Sequence, residues 1–277
     1  MRTFYIILSY IKWLGLIGII GLITDNKILT LFFLIFLLGF VDIFRNLPVF
    51  LQSLYLVFSI PLIHIKNGFN LPSKENYTPQ TELILPFSGK WLVINGGTEK
   101  ATSHSWGIPN QRYAYDFFIV DDEGKTFSGD NKKVENYYCY GKDVLAPADG
   151  EVVGFASHHP NSSVYGDGRP ECKAHDIRGN HIIIRHSKKE YSLIAHLKPK
   201  SVTVKKGQKV KQGQVIAQCG NSGNTTEPHI HFQMNNGKNF FTTAGLPIKF
   251  KNVVVIENNK TSATGYISKG QFAENGG

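Results

Sequence analysis

Apolar residues follow two regimes along this chain: unbroken runs up to Lys66, and short alternating stretches beyond it. Phe4–Ile23 is 20 residues, nearly all apolar, with Lys12 its only charge. Ile28–Phe44 is similar, with Asp42 near its end, and Val49–Ile65 is a weaker run holding Gln52, Pro61 and His64. A bilayer span needs about 20 apolar residues, and about 17 is the lower bound. The pattern therefore predicts two membrane helices and a marginal third within 1–66. A signal peptide would show a single short apolar core and a small-residue cleavage site, and burial in a soluble core is the other reading of such runs. Arg2 and Arg45 would stay on the cytoplasmic side, so three spans with the N-terminus inside put everything after Lys66 outside. Two spans would return it to the side of the N-terminus, and Lys66 and Lys74 argue mildly against the three-span arrangement.

Lys66–Thr81 is polar with two prolines and predicts a linker over 67–82. Period-two stretches follow over Leu83–Asn95, Tyr113–Val120, Asp143–Val153, Tyr191–Leu197 and His229–Met234, which predict strands. Gly207 and Gly213 between valines read as hairpin turns. Asp121–Lys142 and His158–Arg178 are polar and read as insertions between strands. A mainly β domain is expected over 83–257, with a flexible tail over 258–277, where apolar residues are few.

The net charge is +9 and the isoelectric point about 9.3. Five of the 30 basic and two of the 21 acidic residues lie in the first 66, so the excess sits mostly on the β part. An anionic cell wall or membrane surface suits such a charge. No nucleic-acid-binding motif is present, which argues against that partner. Three cysteines are too few for a disulfide scaffold. Cys139 and Cys172 fall one in each insertion, and outside the cell they could pair and pin the two loops.

Gly220–Met234, GNSGNTTEPHIHFQM, carries the candidate chemistry. Its Gly/Ser/Asn/Thr part predicts a tight loop, and Pro228 can start a strand but not sit inside one. Alternation then puts His229 and His231 on one face, roughly 7 Å apart. Two imidazoles so placed invite a shared metal, most often zinc. His196 ends another apolar strand, and Asp116 interrupts the apolar run Tyr113–Val120. A carboxylate there is costly unless paired or metal-bound.

The segments DVLAPADGEVV (Asp143–Val153), GNHIIIRH (Gly179–His186), AHL (Ala195–Leu197), VKKGQKVKQGQVIA (Val204–Ala217) and Gly220–Phe232 together resemble the lysostaphin-type (LytM-like) zinc metallopeptidases, over roughly 87–234. The resemblance implies a small antiparallel β-sheet core with one open groove, of the duplicated hybrid motif, here preceded by two or three transmembrane α-helices. It implies one zinc ion and a peptide of bacterial peptidoglycan as substrate, with the protein a multi-pass membrane protein whose catalytic domain faces the wall. It further implies Asp116 and His231 as metal ligands, and His196 and His229 as catalytic histidines beside the attacking water. The family's third ligand is a histidine four residues before the aspartate, and Arg112 stands there. A guanidinium cannot coordinate zinc, so His104 is the provisional third ligand, brought back by a turn at Ile108-Pro109-Asn110. The alternative is an incomplete site in a wall-binding or hydrolase-activating domain. A carrier domain of lipoyl type, suggested by the Ala-Pro-Ala-Asp-Gly hairpin, would have no use for His-Ile-His.

Overall fold

The computed structural model describes residues 10–38, 47–170, 174–257 and 260–276. The chain divides into two units, Met1–Leu51 and Gln52–Gly277. In the first, α1 (Lys12–Ile23) and α2 (Lys27–Leu37) form a hairpin, with 3₁₀ winding over Lys12–Leu16 and Leu31–Leu37. Asn26 ends the connection by capping α2, its Oδ1 accepting from the backbone N–H of Ile28 at 3.0 Å and of Leu29 at 3.2 Å. Close contact of the two helices depends on glycine: a Cβ at Gly21 would lie 2.2 Å from the Thr30 nitrogen.

Among the described residues one helix, α3 (Leu47–Lys66), is long and apolar enough to cross a membrane. The expectation of two or three transmembrane helices is therefore not supported. The turn at Thr24–Asn26 falls between the first two apolar runs, and their outer ends at Phe4–Ser9 and Gly39–Phe44 lie outside the described residues. In α3, Leu56, Ser59 and Ile63 are buried while Leu54, Val57, Phe58 and Ile65 are exposed. The buried set has the 3–4 residue spacing of a single helix face.

The second unit is built on a ten-stranded antiparallel sheet. Its strands are β1 (Trp91–Asn95), β2 (Tyr115–Phe118), β4 (Gly150–Ala156), β5 (Asn180–Ser187), β6 (Glu190–Leu197), β7 (Lys209–Val210), β9 (Ile230–Asn235), β10 (Val253–Glu257), β11 (Lys260–Thr264) and β12 (Phe272–Asn275). They lie in the order β11-β10-β12-β1-β2-β9-β6-β5-β4-β7, and β3 (Asp143–Leu145) with β8 (Val215–Gln218) forms a separate pair. Alternation assigns the two faces of the sheet. Ile182, Ile184, Ile194 and Phe232 point into the main core with Val144 of β3 and Ile216 of β8. Ile183 and Leu193, one residue out of phase, meet Leu56 of α3 and Phe240 in a smaller cluster. The mainly antiparallel β domain expected from the sequence is thus present.

Two segments expected to be loose are tied down. In the linker, the hydroxyls of Tyr77 and Thr81 both donate to the buried Glu190 carboxylate, and the Gln80 N–H joins them at 2.7 Å. The supposed tail supplies β11 and β12: Phe272–Asn275 pairs with both β1 and β10, and Ile267 and Ala273 are fully buried. Pairing uses backbone N–H and C=O groups, so a polar stretch joins a sheet if a few positions face the core. Cys139 is buried inside the domain, and its expected partner Cys172 lies outside the described residues.

Candidate metal centre

The site lies on the sheet face that also carries Ile183 and Leu193. Tyr115 and Phe117 turn into the main core and leave Asp116 facing the other way; Ile230, Phe232 and Met234 do the same for His231, Gln233 and Asn235. Asp116 and His231 are direct cross-strand partners of β2 and β9, and Ala195 of β6 flanks His231 on its other side. This register sets the carboxylate and the imidazole against each other, with His231 Nδ1 2.9 Å from Asp116 Oδ1. His229 sits just before β9, its Nε2 3.6 Å from the same oxygen. His196 has φ +61°, a left-handed conformation uncommon outside glycine. Its ring centroid lies 4.7 Å from that of His229 and 5.7 Å from that of His231.

His104 reaches the centre from the loop before β2. Its Nδ1 lies 3.6 Å from Asp116 Oδ2, and its ring meets that of His231 edge-on at 6.3 Å. The loop is closed by Ser103 Oγ donating to the Arg112 carbonyl at 2.8 Å. It is pinned to β9 at Asn110, whose carbonyl accepts from both Gln233 Nε2 and Asn235 Nδ2 at 3.0 Å. Arg112 donates to the Trp106 carbonyl at 3.2 Å and lies over the Trp106 indole. So the histidine twelve positions upstream faces the aspartate, and the arginine four positions upstream is engaged with Trp106.

The protonation pattern follows from the partners. His196 Nδ1 lies 2.8 Å from the Ser222 carbonyl, and His229 Nδ1 lies 2.8 Å from the Glu227 carbonyl. A carbonyl can only accept, so both Nδ1 atoms carry the proton and both Nε2 atoms turn a lone pair inward. For His231 the roles of the nitrogens reverse. Gln233 gives both amide hydrogens to Asn110 and Asn235, so its Oε1 faces His231 Nε2 at 3.0 Å and takes that N–H. His231 Nδ1 is then left as a lone pair pointing at a carboxylate oxygen. Two acceptors 2.9 Å apart require a proton or a cation between them. The donor set therefore fits a metal ion, with Asp116 facing His231 through Oδ1 and His104 through Oδ2. His196, His229 and His231 also bring ligand atoms within 4.8 Å of one another.

Before a cation binds, the same groups compete for protons, and each is shifted by its neighbours. Burial raises the Asp116 carboxyl, but the His229 and His231 imidazoles outweigh it and hold it well below the ordinary value. Burial, then the neighbouring His229 and His231, pushes His196 well below its ordinary value, and burial also lowers His104. His229 goes the other way, because Asp116 overcomes the burial that opposes it. Asn95 Nδ2 steadies the free side of Asp116 with a 3.0 Å bond to Oδ2.

All five expected site residues line one cleft of about 520 Å³, walled in part by Leu56 of α3 and by Phe240. The residues that sequence reasoning missed are the ones that orient the imidazoles: Gln233, Asn110, Ser222 and Glu227. For Gln233 a signal existed, since it continues the alternation of His229 and His231.

A β-sheet cleft in which inward-turned imidazoles face a buried carboxylate has the build of a metallopeptidase domain. The model of Peptidase family M23 matches residues 132–243 of the chain. That stretch holds His196, His229 and His231, while His104 and Asp116 precede it. The chain is 40% identical over 60 residues to the peptidoglycan DD-endopeptidase ShyA of Vibrio cholerae, 22% of this chain and 14% of that protein. It is 27% identical over 188 residues to the murein hydrolase activator NlpD of Salmonella dublin, 66% of this chain and 45% of that protein. The chain thus spans less than half the length of either relative. Among solved structures, the catalytic domain of lysostaphin from Staphylococcus simulans aligns with 57% of this chain and 88% of its own, at 22% identity and a TM-score of 0.32.

Proposed function

We propose that the protein is a membrane-anchored zinc endopeptidase that hydrolyses peptide bonds in bacterial peptidoglycan. The observation that carries this reading is the set of inward lone pairs on His196, His229 and His231 closing on Asp116. In it, Asp116, His231 and His104 hold the ion, and His196 and His229 flank the scissile bond. A bound zinc ion would acidify water towards neutral pH and polarise the carbonyl under attack. The inward Nε2 atoms of His196 and His229 are placed to take a proton from the attacking water and, once protonated, to donate to the oxyanion. The Ser222 and Glu227 carbonyls keep both rings in that tautomer throughout. The apolar runs before Lys66, and the exposed Leu54, Val57, Phe58 and Ile65 of α3, supply the membrane anchor. The basic β domain then faces the anionic wall.

The test is full-length protein in detergent micelles, incubated with purified cell-wall sacculi. One zinc per chain and a steady release of free amino groups are expected, and His229→Ala should keep the fold while releasing none. A chain that takes up no zinc would overturn the chemistry. Zinc-loaded protein that leaves every wall preparation intact would overturn the substrate.

A second reading is favoured by two observations: Arg112 at the expected ligand position, and the 188-residue similarity to a protein described as a murein hydrolase activator. In that reading the domain binds wall without cutting it. His229→Ala would then leave the function of the protein unchanged.

A further inference from the structure

Cys139 and Cys219 take no part in the chemistry above, yet both side chains are fully buried. Cys139 ends the insertion at 121–142 in a turn, where the Lys142 N–H donates to its carbonyl at 3.1 Å. That turn is laced to the residue following β8. The Gly141 N–H donates to the Cys219 carbonyl, and the Cys219 N–H donates to the Lys142 carbonyl, both at 2.8 Å. The lacing brings both cysteines into the main core as neighbours. Around them are the side chains of the main core, including Val144 and Ile216. The Cys139 thiol also donates to the Pro228 carbonyl at 3.0 Å.

We propose that Cys139 and Cys219 are the two halves of a disulfide, formed when the chain folds in an oxidising compartment. The oxidant is a small-molecule or protein disulfide, and the reaction is thiol–disulfide exchange. One cysteine thiolate attacks a sulfur of that disulfide, breaks its S–S bond, expels one thiolate and leaves a mixed disulfide. The second cysteine thiolate attacks the mixed disulfide, forms the Cys139–Cys219 bond and expels the other thiolate. The two protons of the cysteines end on the two expelled thiolates, and the two electrons reduce the oxidant to two thiols. Burial pushes the Cys219 thiol well up, so exchange belongs to folding, before the core closes.

The position gives the bond a role. Cys219 directly precedes the loop whose Ser222 carbonyl holds His196, and Cys139 touches the carbonyl just before His229. A bond there ties an insertion of the domain to both segments that aim the flanking imidazoles. It forms or fails whether or not the cleft cuts peptides.

The experiment refolds full-length protein in detergent with oxidised glutathione, unfolds it, blocks free thiols with a maleimide, and digests it without reductant. The expected result is one peptide pair joined through Cys139 and Cys219, with Cys172 blocked. Dithiothreitol should lower Tm by about 10 °C. Cys139→Ser and Cys219→Ser should each abolish that shift, while Cys172→Ser should leave it intact. Maleimide on both Cys139 and Cys219 after oxidation, or a bond from either to Cys172, overturns the proposal.

Discussion

The two halves of the candidate metal centre are held by different means. Asp116 and His231 sit on adjacent strands, and the ladder between β2 and β9 fixes their distance. To turn one of them away would mean slipping the register and reversing a whole core face. His104 sits on a loop whose place depends on a few side-chain bonds, chiefly those to Asn110 and Arg112 carbonyls. His104, with 34% of its side chain exposed, is also the most exposed of the five residues. A strand can carry a functional group without outside help, whereas a loop needs a clamp, and here the clamp is made of amides on the strand itself.

The sharpest test of this contrast is metal binding. His231→Ala should remove zinc and cut hydrolysis by at least about 10³-fold. His104→Ala should come close to it, and Arg112→Ala should keep zinc. A fully active His104→Ala variant would mean that the strand-borne half suffices. Gln233→Leu should lower zinc affinity about 10–100-fold, read by competition with a chelating dye, because His231 loses the partner that fixes its tautomer. At the other wall of the cleft, Leu56→Ala should cost about 2–3 kcal/mol in urea unfolding if α3 packs on the β domain in solution.

Outside the site, buried His181 is lowered to about 4, first by burial and then by Arg178. In the unfolded chain its ordinary value is about 6.5. Between these values the unfolded state binds a proton that the folded state refuses, so stability falls as pH drops from about 6.5 to about 4. The drop attributable to this group is about 3 kcal/mol. His181→Gln should flatten that part of the urea midpoint profile, and an unchanged slope would show that His181 is not the group responsible.

Periodicity made much of this legible. The alternation through His229, His231 and Phe232 forecast both the strand and the direction of its histidines, and Asp116 stood out as a charge inside an apolar run. The role of Arg112 was open on sequence grounds, because proximity along the chain does not say which side chain a loop turns inward. The clamp at Asn110 joins positions over 120 residues apart, a link no local pattern encodes. β12 was missed for a related reason: its pairing uses peptide groups that every residue possesses. Among the described residues only α3 is long enough to cross a membrane, and the outer ends of the first two apolar runs lie outside those residues.

The left-handed backbone of His196 implies an inversion of the usual ranking of small residues. At most buried strand positions glycine is less favourable than alanine, by about 0.5–1 kcal/mol. Here alanine would inherit the torsional penalty and glycine would escape it. His196→Gly should therefore outlast His196→Ala in thermal unfolding by a few degrees, though neither variant retains an imidazole to work with. The fold would rest more easily without the very residue it is bent to present.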